Sequence, residues 1–197
     1  MGNKRQAFSS DEFYHVYHHG NGNENIFREE ENYFLFLNRY AKYINPIADT
    51  FAYCLMPNHF HVLLKIKSED ELTQLIKDNR TNTAYTVQSL IIKQFSDFLN
   101  AYVKTFNKKY DRKGSLFRDS IQRKQVNSDA YFTKLIQYIH QNPIHHGFCK
   151  TVEDWPHTSY HSFLSEKPTY LQREQILNWF TTKEYFIKKH QEPIAID

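Results

Sequence analysis

The stretch from Tyr53 to Lys65 constrains the fold of this chain more than any other, because two apolar runs meet there at Met56-Pro57-Asn58. The second run begins at His59 and is rich in apolar and β-branched residues, which is typical of a buried strand. A connection this short predicts a hairpin of two antiparallel strands. Side chains alternate between the faces of a strand, so His59 and His61 should point the same way.

Two imidazoles side by side on one rigid strand can form half of a metal site, because neutral histidine is a common metal ligand. The chain contains 11 histidines among 197 residues, so one His-x-His pair is expected roughly by chance. The pair His59 and His61 therefore leaves two interpretations open at this point, a structural pair and a pair of metal ligands.

The remaining hydrophobic pattern predicts the element order β-α-β-β-α-β-α. With helices on one face of an antiparallel sheet, that order is typical of a ferredoxin-like (RRM-like) α+β fold. We expect a flexible arm over residues 1–12, a folded domain over 13–147 and a C-terminal extension over 148–197. The expected strands are 13–18, 47–55, 59–67 and 120–126. Helices are expected over 28–44, after a cap at Ser68, over 87–106, over 128–142 with a stop at Pro143, and weakly over 173–181. Residues 78–86 are expected to form a loop.

Positive charge is concentrated in one segment. The whole chain has a net charge of +3, whereas residues 104–124 contain eight lysines and arginines against two aspartates. Phe106, Tyr110 and Phe117 interleave with these charges. Basic and aromatic side chains together are typical of a surface that contacts phosphates and stacks on bases. A solvated helix end is the alternative interpretation of the same segment.

Composition narrows the class of protein. Only Cys54 and Cys149 are present, without a CxxC motif, so we expect a reducing compartment and no disulfide framework. The first twelve residues are polar and lack the apolar core of a signal peptide. The chain has no apolar run of 18 residues, so we expect no transmembrane helix and a cytoplasmic location.

A second pair of chemically useful side chains lies on the helix predicted over 128–142. Tyr138 and Asn142 are four residues apart, so they should lie one above the other on the same helical face. A phenol can act as a nucleophile, and a carboxamide oxygen can be a neutral metal ligand. The alternative is structural, with Tyr138 a half-buried aromatic residue and Asn142 a helix cap before Pro143.

These features fit one reaction class if the two imidazoles and the amide converge on one cation. A divalent ion held in this way is a Lewis acid for a scissile phosphodiester. A tyrosine can then attack phosphorus and form a phosphotyrosine, so that a 3′-hydroxyl can rejoin the strands without ATP. A phenol has a pKa of about 10, so nearby positive charge must assist its deprotonation. A hydrolytic zinc site with a further carboxylate or histidine is the alternative metal centre.

Four segments resemble one known family, the IS200-like single-tyrosine transposases, which carry a His-hydrophobe-His (HUH) motif. The run from Met56 to Leu64 resembles that motif, and Tyr138 to Gly147 resembles the family's tyrosine helix. Gly114 to Arg118 and Trp155 to Tyr160 resemble the subgroup associated with repetitive extragenic palindromes (REP). The resemblance covers about residues 13–165, whereas residues 166–197 have no counterpart in it.

The resemblance implies that residues 13–147 form an HUH catalytic domain. Such a domain cuts and rejoins single-stranded DNA near hairpins through a 5′-phosphotyrosine, uses Mg²⁺ or Mn²⁺, and is located at the nucleoid. A non-catalytic protein that binds hairpin nucleic acid on the same fold is the second hypothesis, and monomer and homodimer are both open. The expected site residues are Tyr138 as nucleophile, His59, His61 and Asn142 as metal ligands, and Lys113, Arg118, Arg123 and Lys124 as DNA contacts.

Overall fold

A computed structural model describes residues 7–78 and 85–194 of the chain. Within them, four antiparallel strands form one sheet in the order β2-β3-β1-β4. This topology confirms the ferredoxin-like α+β fold predicted from the sequence. The elements are β1 (Phe13–His19), α1 (Glu30–Tyr43), β2 (Ala48–Met56), β3 (His59–Ile66), α2 (Glu69–Asp78), α3 (Val87–Lys109), β4 (Gln122–Val126), α4 (Asp129–His145), α5 (Tyr160–Leu164), α6 (Arg173–Trp179) and α7 (Lys183–Gln191).

The predicted hairpin at Met56-Pro57-Asn58 forms in the structure. Met56 of β2 pairs with His59 at the start of β3, and the two strands run antiparallel. β3 also pairs with β1, where Tyr17 lies opposite His61 and His19 lies opposite His59. The two central strands therefore bring their histidines side by side.

One face of the sheet is covered by α1 and α3 and forms an apolar core. Phe60 and Val62 of β3 point into this core and are almost fully buried. The Phe36 ring of α1 lies 4.9 Å from the Phe60 ring and 4.9 Å from the Phe98 ring of α3, between centroids. Contacts between aromatic rings thus pack α1 and α3 against this face of the sheet.

The opposite face of the sheet is also covered, although the sequence pattern predicted helices on one face only. Leu63 of β3 and Phe51 of β2 belong to a second buried cluster with Ile136 of α4 and Phe186 of α7. Both β2 and β3 carry apolar residues on both faces, and apolar surface left in water would be unfavourable. The C-terminal extension therefore shares a core with the rest of the described chain.

Helix α4 continues beyond Pro143, so the predicted stop at that residue was wrong. A proline lacks an N–H group and removes one helical hydrogen bond, here the one to the carbonyl of Ile139. The His146 N–H nevertheless closes the last turn on the Asn142 carbonyl at 3.1 Å. The free energy lost with one hydrogen bond near a helix end is small compared with the free energy gained by burying the apolar side chains of α4. The helix therefore continues to His145.

The first and last described segments differ from expectation, and residues 1–6 of the expected flexible arm lie outside the described residues. Phe8 is buried, and its ring stacks on Phe95 of α3 with centroids 4.9 Å apart, so residues from 7 onward in the expected flexible arm are anchored. At the other end, the expected weak helix forms as α6. Helix α7 was not predicted, because its apolar residues Tyr185, Phe186 and Ile187 are consecutive rather than spaced along one helical face.

Side chains cap the two helices that flank the expected loop over 78–86, most of which lies outside the described residues. Ser68 accepts a hydrogen bond from the N–H of Glu71 at the start of α2, as predicted. Thr86 accepts one from the N–H of Ser89 at the start of α3. Across residues 7–78 and 85–194, no helix has the length and apolar character needed to span a bilayer.

Candidate active site

A cavity of about 360 Å³ lies between the second face of the sheet and helix α4. Its lining comes from alternate positions of β1 and β3, from the edge strand β4 and from α4. Strand alternation accounts for this pattern, because the intervening residues of β1 and β3 point to the opposite face. The lining residues are His15, Tyr17, His19, His59, His61, Lys124, Tyr131, Leu135, Tyr138 and His146.

One ring nitrogen of His59 is hydrogen-bonded, and the other has no hydrogen-bond partner among the described residues. Its Nδ1 donates to the Asn58 Oδ1 oxygen at 2.6 Å, since that oxygen can only accept. The neutral ring then has a lone pair on Nε2, which is buried without a hydrogen-bond partner among the described residues. Burial lowers the pKa of His59 to about 4, with His19 and His146 adding to the effect. A neutral imidazole oriented through its other nitrogen is the form that binds metals.

His61 is oriented by a neighbour on the adjacent strand. Its Nδ1 lies 2.8 Å from the Nε2 of His15, which points from β1 onto the same face. When His61 donates this hydrogen bond, its own Nε2 keeps a lone pair. Burial lowers the pKa of His15 to about 4, and the charge of Lys124 adds to the effect. Burial also lowers the pKa of His61 well below its usual value, and electrostatic repulsion from His15 adds to that shift. Both rings are therefore neutral near pH 7.

Helix α4 carries Tyr138 and Asn142 to the same place. The Tyr138 ring lies edge-on to His61, with centroids 6.0 Å apart, and 6.4 Å from the His15 ring. Asn142 is fully buried, and in the described part of the chain its oxygen and nitrogen have no hydrogen-bond partner. It lies beside His59 and opposes the lowering of that ring's pKa, although the two groups do not reach hydrogen-bond geometry. The spacing of four residues therefore brings a phenol and an amide to the two histidines.

The donor atoms at this point fit a divalent cation. The Nε2 of His59 and the amide of Asn142 are buried and unpaired, and such groups are costly unless something binds them. Two imidazole nitrogens and one amide oxygen would leave several positions of a six-coordinate ion open. Within residues 7–78 and 85–194, no three His, Cys, Asp or Glu side chains converge as metal ligands.

The four cations expected to contact DNA do not share one side of the sheet. Lys124 lines the cavity. Arg123, the preceding residue of β4, points to the opposite face, where its guanidinium lies 4.4 Å from the ring centroid of Phe8. Lys113 and Arg118 are exposed on the segment between α3 and β4. Of these four residues, only Lys124 is therefore part of the cavity wall.

The contribution of β1 to the cavity was not predicted from the sequence. His15, Tyr17 and His19 occupy alternate positions of this strand, so they share one face. Alternation alone predicts a strand but does not say which strand lies beside it. Only the pairing of β1 with β3 places these side chains next to His59 and His61. A ferredoxin-like topology, once assumed, would have been sufficient to predict them.

The fold and the cavity together define a ferredoxin-like α+β protein with paired histidines on the sheet and a tyrosine on the facing helix. The chain is similar to a Haemophilus influenzae protein that is named for a proposed role as a REP-associated tyrosine transposase. The two are 29% identical over 117 residues, which cover 57% of this chain and 59% of the relative. The chain thus matches less than two thirds of the length of that relative. No family model matches the chain.

A solved structure supports the same relationship at the level of the fold. A REP-associated tyrosine transposase bound to a REP hairpin superposes with a TM-score of 0.64 at 13% identity, over 85% of this chain and 89% of that chain. This match confirms the architecture alone, because the identity is low. The name of the Haemophilus relative confirms the resemblance to REP-associated tyrosine transposases that the motifs indicated.

Proposed function

We propose that this protein is a metal-dependent single-stranded DNA endonuclease and transposase that cleaves and rejoins DNA beside hairpins. The observation that carries the proposal is the approach of Tyr138 and Asn142 on α4 to His59 and His61 on β3. The name of the relative and the hairpin bound to the structural neighbour support the same substrate class. The proposed partner is therefore a single DNA strand with a palindromic hairpin.

Tyr138 is the nucleophile in this proposal. Its phenol oxygen forms a bond to the phosphorus of a phosphodiester, and the bond from that phosphorus to the 3′-oxygen breaks. The phenol gives up its proton and the departing 3′-oxygen gains one, so the products are a 5′-phosphotyrosine and a free 3′-hydroxyl. The ester energy is conserved in the phosphotyrosine, so attack by a 3′-hydroxyl reverses the step and joins strands without ATP.

His59, His61 and Asn142 are the residues that would hold Mg²⁺ or Mn²⁺. When bound, the ion supplies Lewis-acid polarisation of the phosphate. The protein keeps both imidazoles neutral by burial. It also orients the rings through the hydrogen bonds that His59 donates to Asn58 and that His61 donates to His15, an arrangement that usually matters for metal affinity.

Lys113, Arg118, Arg123 and Lys124 are the proposed DNA contacts. The ammonium of Lys124, at the cavity wall, is suited to a phosphate close to the scissile bond. Lys113 and Arg118 are exposed, and the N–H of Arg118 donates to the carbonyl of the cavity residue His19, so both cations suit phosphates further along the hairpin. Arg123 should contribute least of the four, because it faces away from the cavity and lies over Phe8.

The substitution Tyr138→Phe tests the proposal, because it removes only the attacking hydroxyl. We expect the wild type to form a covalent adduct with hairpin-bearing single-stranded DNA in Mn²⁺, seen as a shifted band on a denaturing gel. Adduct formation should fall by at least about a thousandfold in the variant, while its affinity for the DNA is kept. Tyr131→Phe is the matched control, since Tyr131 lines the same cavity from the same helix.

A wild-type protein that binds hairpin DNA but forms no adduct in Mg²⁺ or Mn²⁺ would contradict the proposal. The chain would then be a non-catalytic hairpin-binding protein on the same fold. Strand cleavage that persists in Tyr138→Phe would contradict it in another way, because the attacking group would then be water or another side chain.

A further inference from the structure

Side chains of α4 bind the last turn of the C-terminal helix α7. Gln137 donates to the Lys189 carbonyl at 2.5 Å, and Gln141 donates to the carbonyls of His190 and Glu192 at 2.8 and 2.7 Å. The last carbonyls of a helix lack partners within the helix, so these amides satisfy them. Directional contacts therefore join α7 to α4 at the turn that carries the site residues.

A continuous buried hydrogen-bond chain runs through the same turn. His190 Nδ1 donates to the Phe186 carbonyl at 2.7 Å, so its Nε2 accepts from the Nδ1 of His140 at 2.8 Å. The Nε2 of His140 then accepts from the Ser159 hydroxyl at 2.7 Å. Ser159 in turn accepts from the N–H of Tyr53 on β2 at 2.9 Å. The Ser159 hydroxyl also lies 3.3 Å from the Tyr53 carbonyl, a longer contact than its bond to His140. The chain of bonds thus connects α7, α4 and the sheet.

This Ser159–His140 pair is not a second catalytic centre. Both residues are 0% exposed and His190 is 1% exposed, so no substrate reaches them. The pair lies among aromatic side chains of the second buried cluster, including Phe163 and Phe186. Apolar packing is non-directional, whereas a buried hydrogen bond requires specific distances and angles. The chain of bonds therefore specifies one position of α4 among those that apolar packing would allow.

The hydrogen-bonded residue of α4 lies between its two site residues. His140 follows Tyr138 by two positions and precedes Asn142 by two, so all three move together with the helix. Pro143 comes next and removes the backbone hydrogen bond to the Ile139 carbonyl. This turn is less constrained by its own backbone than a regular helix, which increases the importance of the contacts from α7.

We propose that α7, through His190, sets the position of α4 along the sheet, so that His190 is a positioning residue for Tyr138 and Asn142. The inference rests on the function proposed above for those two residues. His190 does not line the cavity, and it acts through His140. The segment 166–197, which the family resemblance did not cover, thereby acquires a role in the site.

The test replaces His190 with Phe in the whole 197-residue chain, which keeps an aromatic ring but removes the acceptor for His140. We expect the rate of adduct formation at saturating hairpin DNA to fall by about 10- to 100-fold, and the affinity for Mn²⁺, measured by EPR, to weaken similarly. DNA affinity should change by less than about twofold, because no phosphate contact is altered. His190→Gln should restore both quantities, because its amide oxygen can accept the bond.

Lys183→Met is the matched control for a general loosening of the tail. Lys183 donates to the Leu164 carbonyl at 2.8 Å, a bond that does not involve α4. This variant should have a lower melting temperature and a wild-type adduct rate. Should His190→Phe fail to fold, Gln141→Met takes its place, because it removes two bonds to the same turn of α7 and should change the rate and Mn²⁺ affinity in the same direction.

A folded His190→Phe protein with the wild-type adduct rate and Mn²⁺ affinity would overturn the inference. An equal loss of rate in Lys183→Met would also overturn it, because the effect would then not depend on the bond to His140. A wild type that forms no adduct would count against the proposed function instead. The effect of His190 on the position of Asn142 would then be measured by Mn²⁺ affinity and by the NMR signal of the Asn142 side-chain amide. An unchanged amide signal in His190→Phe would overturn the inference that His190 positions Asn142.

Discussion

The two faces of the sheet are made by the same strands, yet they differ in what they bury. On the α1 and α3 side, Phe60 and Val62 of β3 enter a core of aromatic and aliphatic side chains. On the α4 side, His59 and His61 of the same strand enter a cavity with other imidazoles and a phenol. Because a strand alternates its side chains, one element can stabilise the fold with one face and provide chemistry with the other.

The polar face also contains buried polar groups at the proposed site that have no partner in the described part of the chain. It contains the His59 Nε2 atom and the Asn142 amide, which are buried without partners among the described residues. Such groups lower stability when nothing is bound to them, and they are commonly kept where function requires them. The comparison therefore predicts that substitutions on the two faces will separate stability from activity.

The largest expected effect comes from two adjacent residues of β3. Phe60→Ala should lower the free energy of unfolding by about 3–5 kcal/mol, because it leaves a cavity in the aromatic core. His61→Ala should lower it by only about 1 kcal/mol but abolish Mn²⁺ binding. Urea denaturation and EPR measure the two quantities. Equal destabilisation by the two substitutions would remove the distinction between the faces.

Acid should lower the free energy of unfolding through the buried histidine His190. Burial lowers the pKa of His190 to about 4 from its ordinary value of 6.5. Below pH 6.5 the unfolded chain takes up a proton at His190 that the folded protein takes up only near pH 4, so stability falls as the pH falls. This one residue should account for about 3 kcal/mol of lost unfolding free energy at pH 4. Denaturation curves at several pH values should be less pH-dependent in His190→Phe, and identical pH dependence would contradict this assignment.

A stabilising substitution is expected within the proposed metal site. Asn142→Leu replaces two unpaired buried polar atoms by an apolar group of similar size, so the metal-free protein should gain about 1–2 kcal/mol of unfolding free energy. Mn²⁺ affinity should fall in the same variant. Thermal melting with and without Mn²⁺ measures both changes. A loss of stability without metal would mean that the Asn142 amide has a partner in the folded protein.

The smallest expected effect compares the neighbouring cations of β4. Lys124→Gln should weaken the binding of hairpin DNA and reduce the salt dependence of log K by about 0.7–0.9, the contribution of one phosphate contact. Arg123→Gln should change that slope less, because Arg123 faces the apolar side, where it lies over Phe8. Binding measured over a range of salt concentrations distinguishes them. A larger effect of Arg123→Gln would place the DNA on the opposite face of the sheet.

Local patterns made much of the fold predictable. The hairpin at Met56-Pro57-Asn58 and the shared direction of His59 and His61 follow from a turn and from the period of a strand, which involve only neighbouring residues. The shared face of Tyr138 and Asn142 follows in the same way from the period of a helix. Patterns of this kind persist in any tertiary context, so these predictions held.

Features that depend on distant segments were not predictable in the same way. The contribution of His15 to the cavity requires the pairing of β1 with β3, which joins residues 46 positions apart. The continuation of α4 through Pro143 depends on burial that no local rule contains. Helix α7 has no clear periodicity, and its place in the fold comes from contacts with α4.

The sequence by itself determined the ferredoxin-like order of elements and the shared faces of the two pairs of proposed site residues, because hydrophobic period and turn chemistry act over a few residues. Only the tertiary structure decided that the pairs meet, that the neighbouring strand β1 supplies His15 to orient His61, and that a C-terminal helix binds the turn of α4 between Tyr138 and Asn142. The physical reason is that these contacts join segments far apart in the chain, and their geometry is set by packing and directional hydrogen bonds rather than by local propensity.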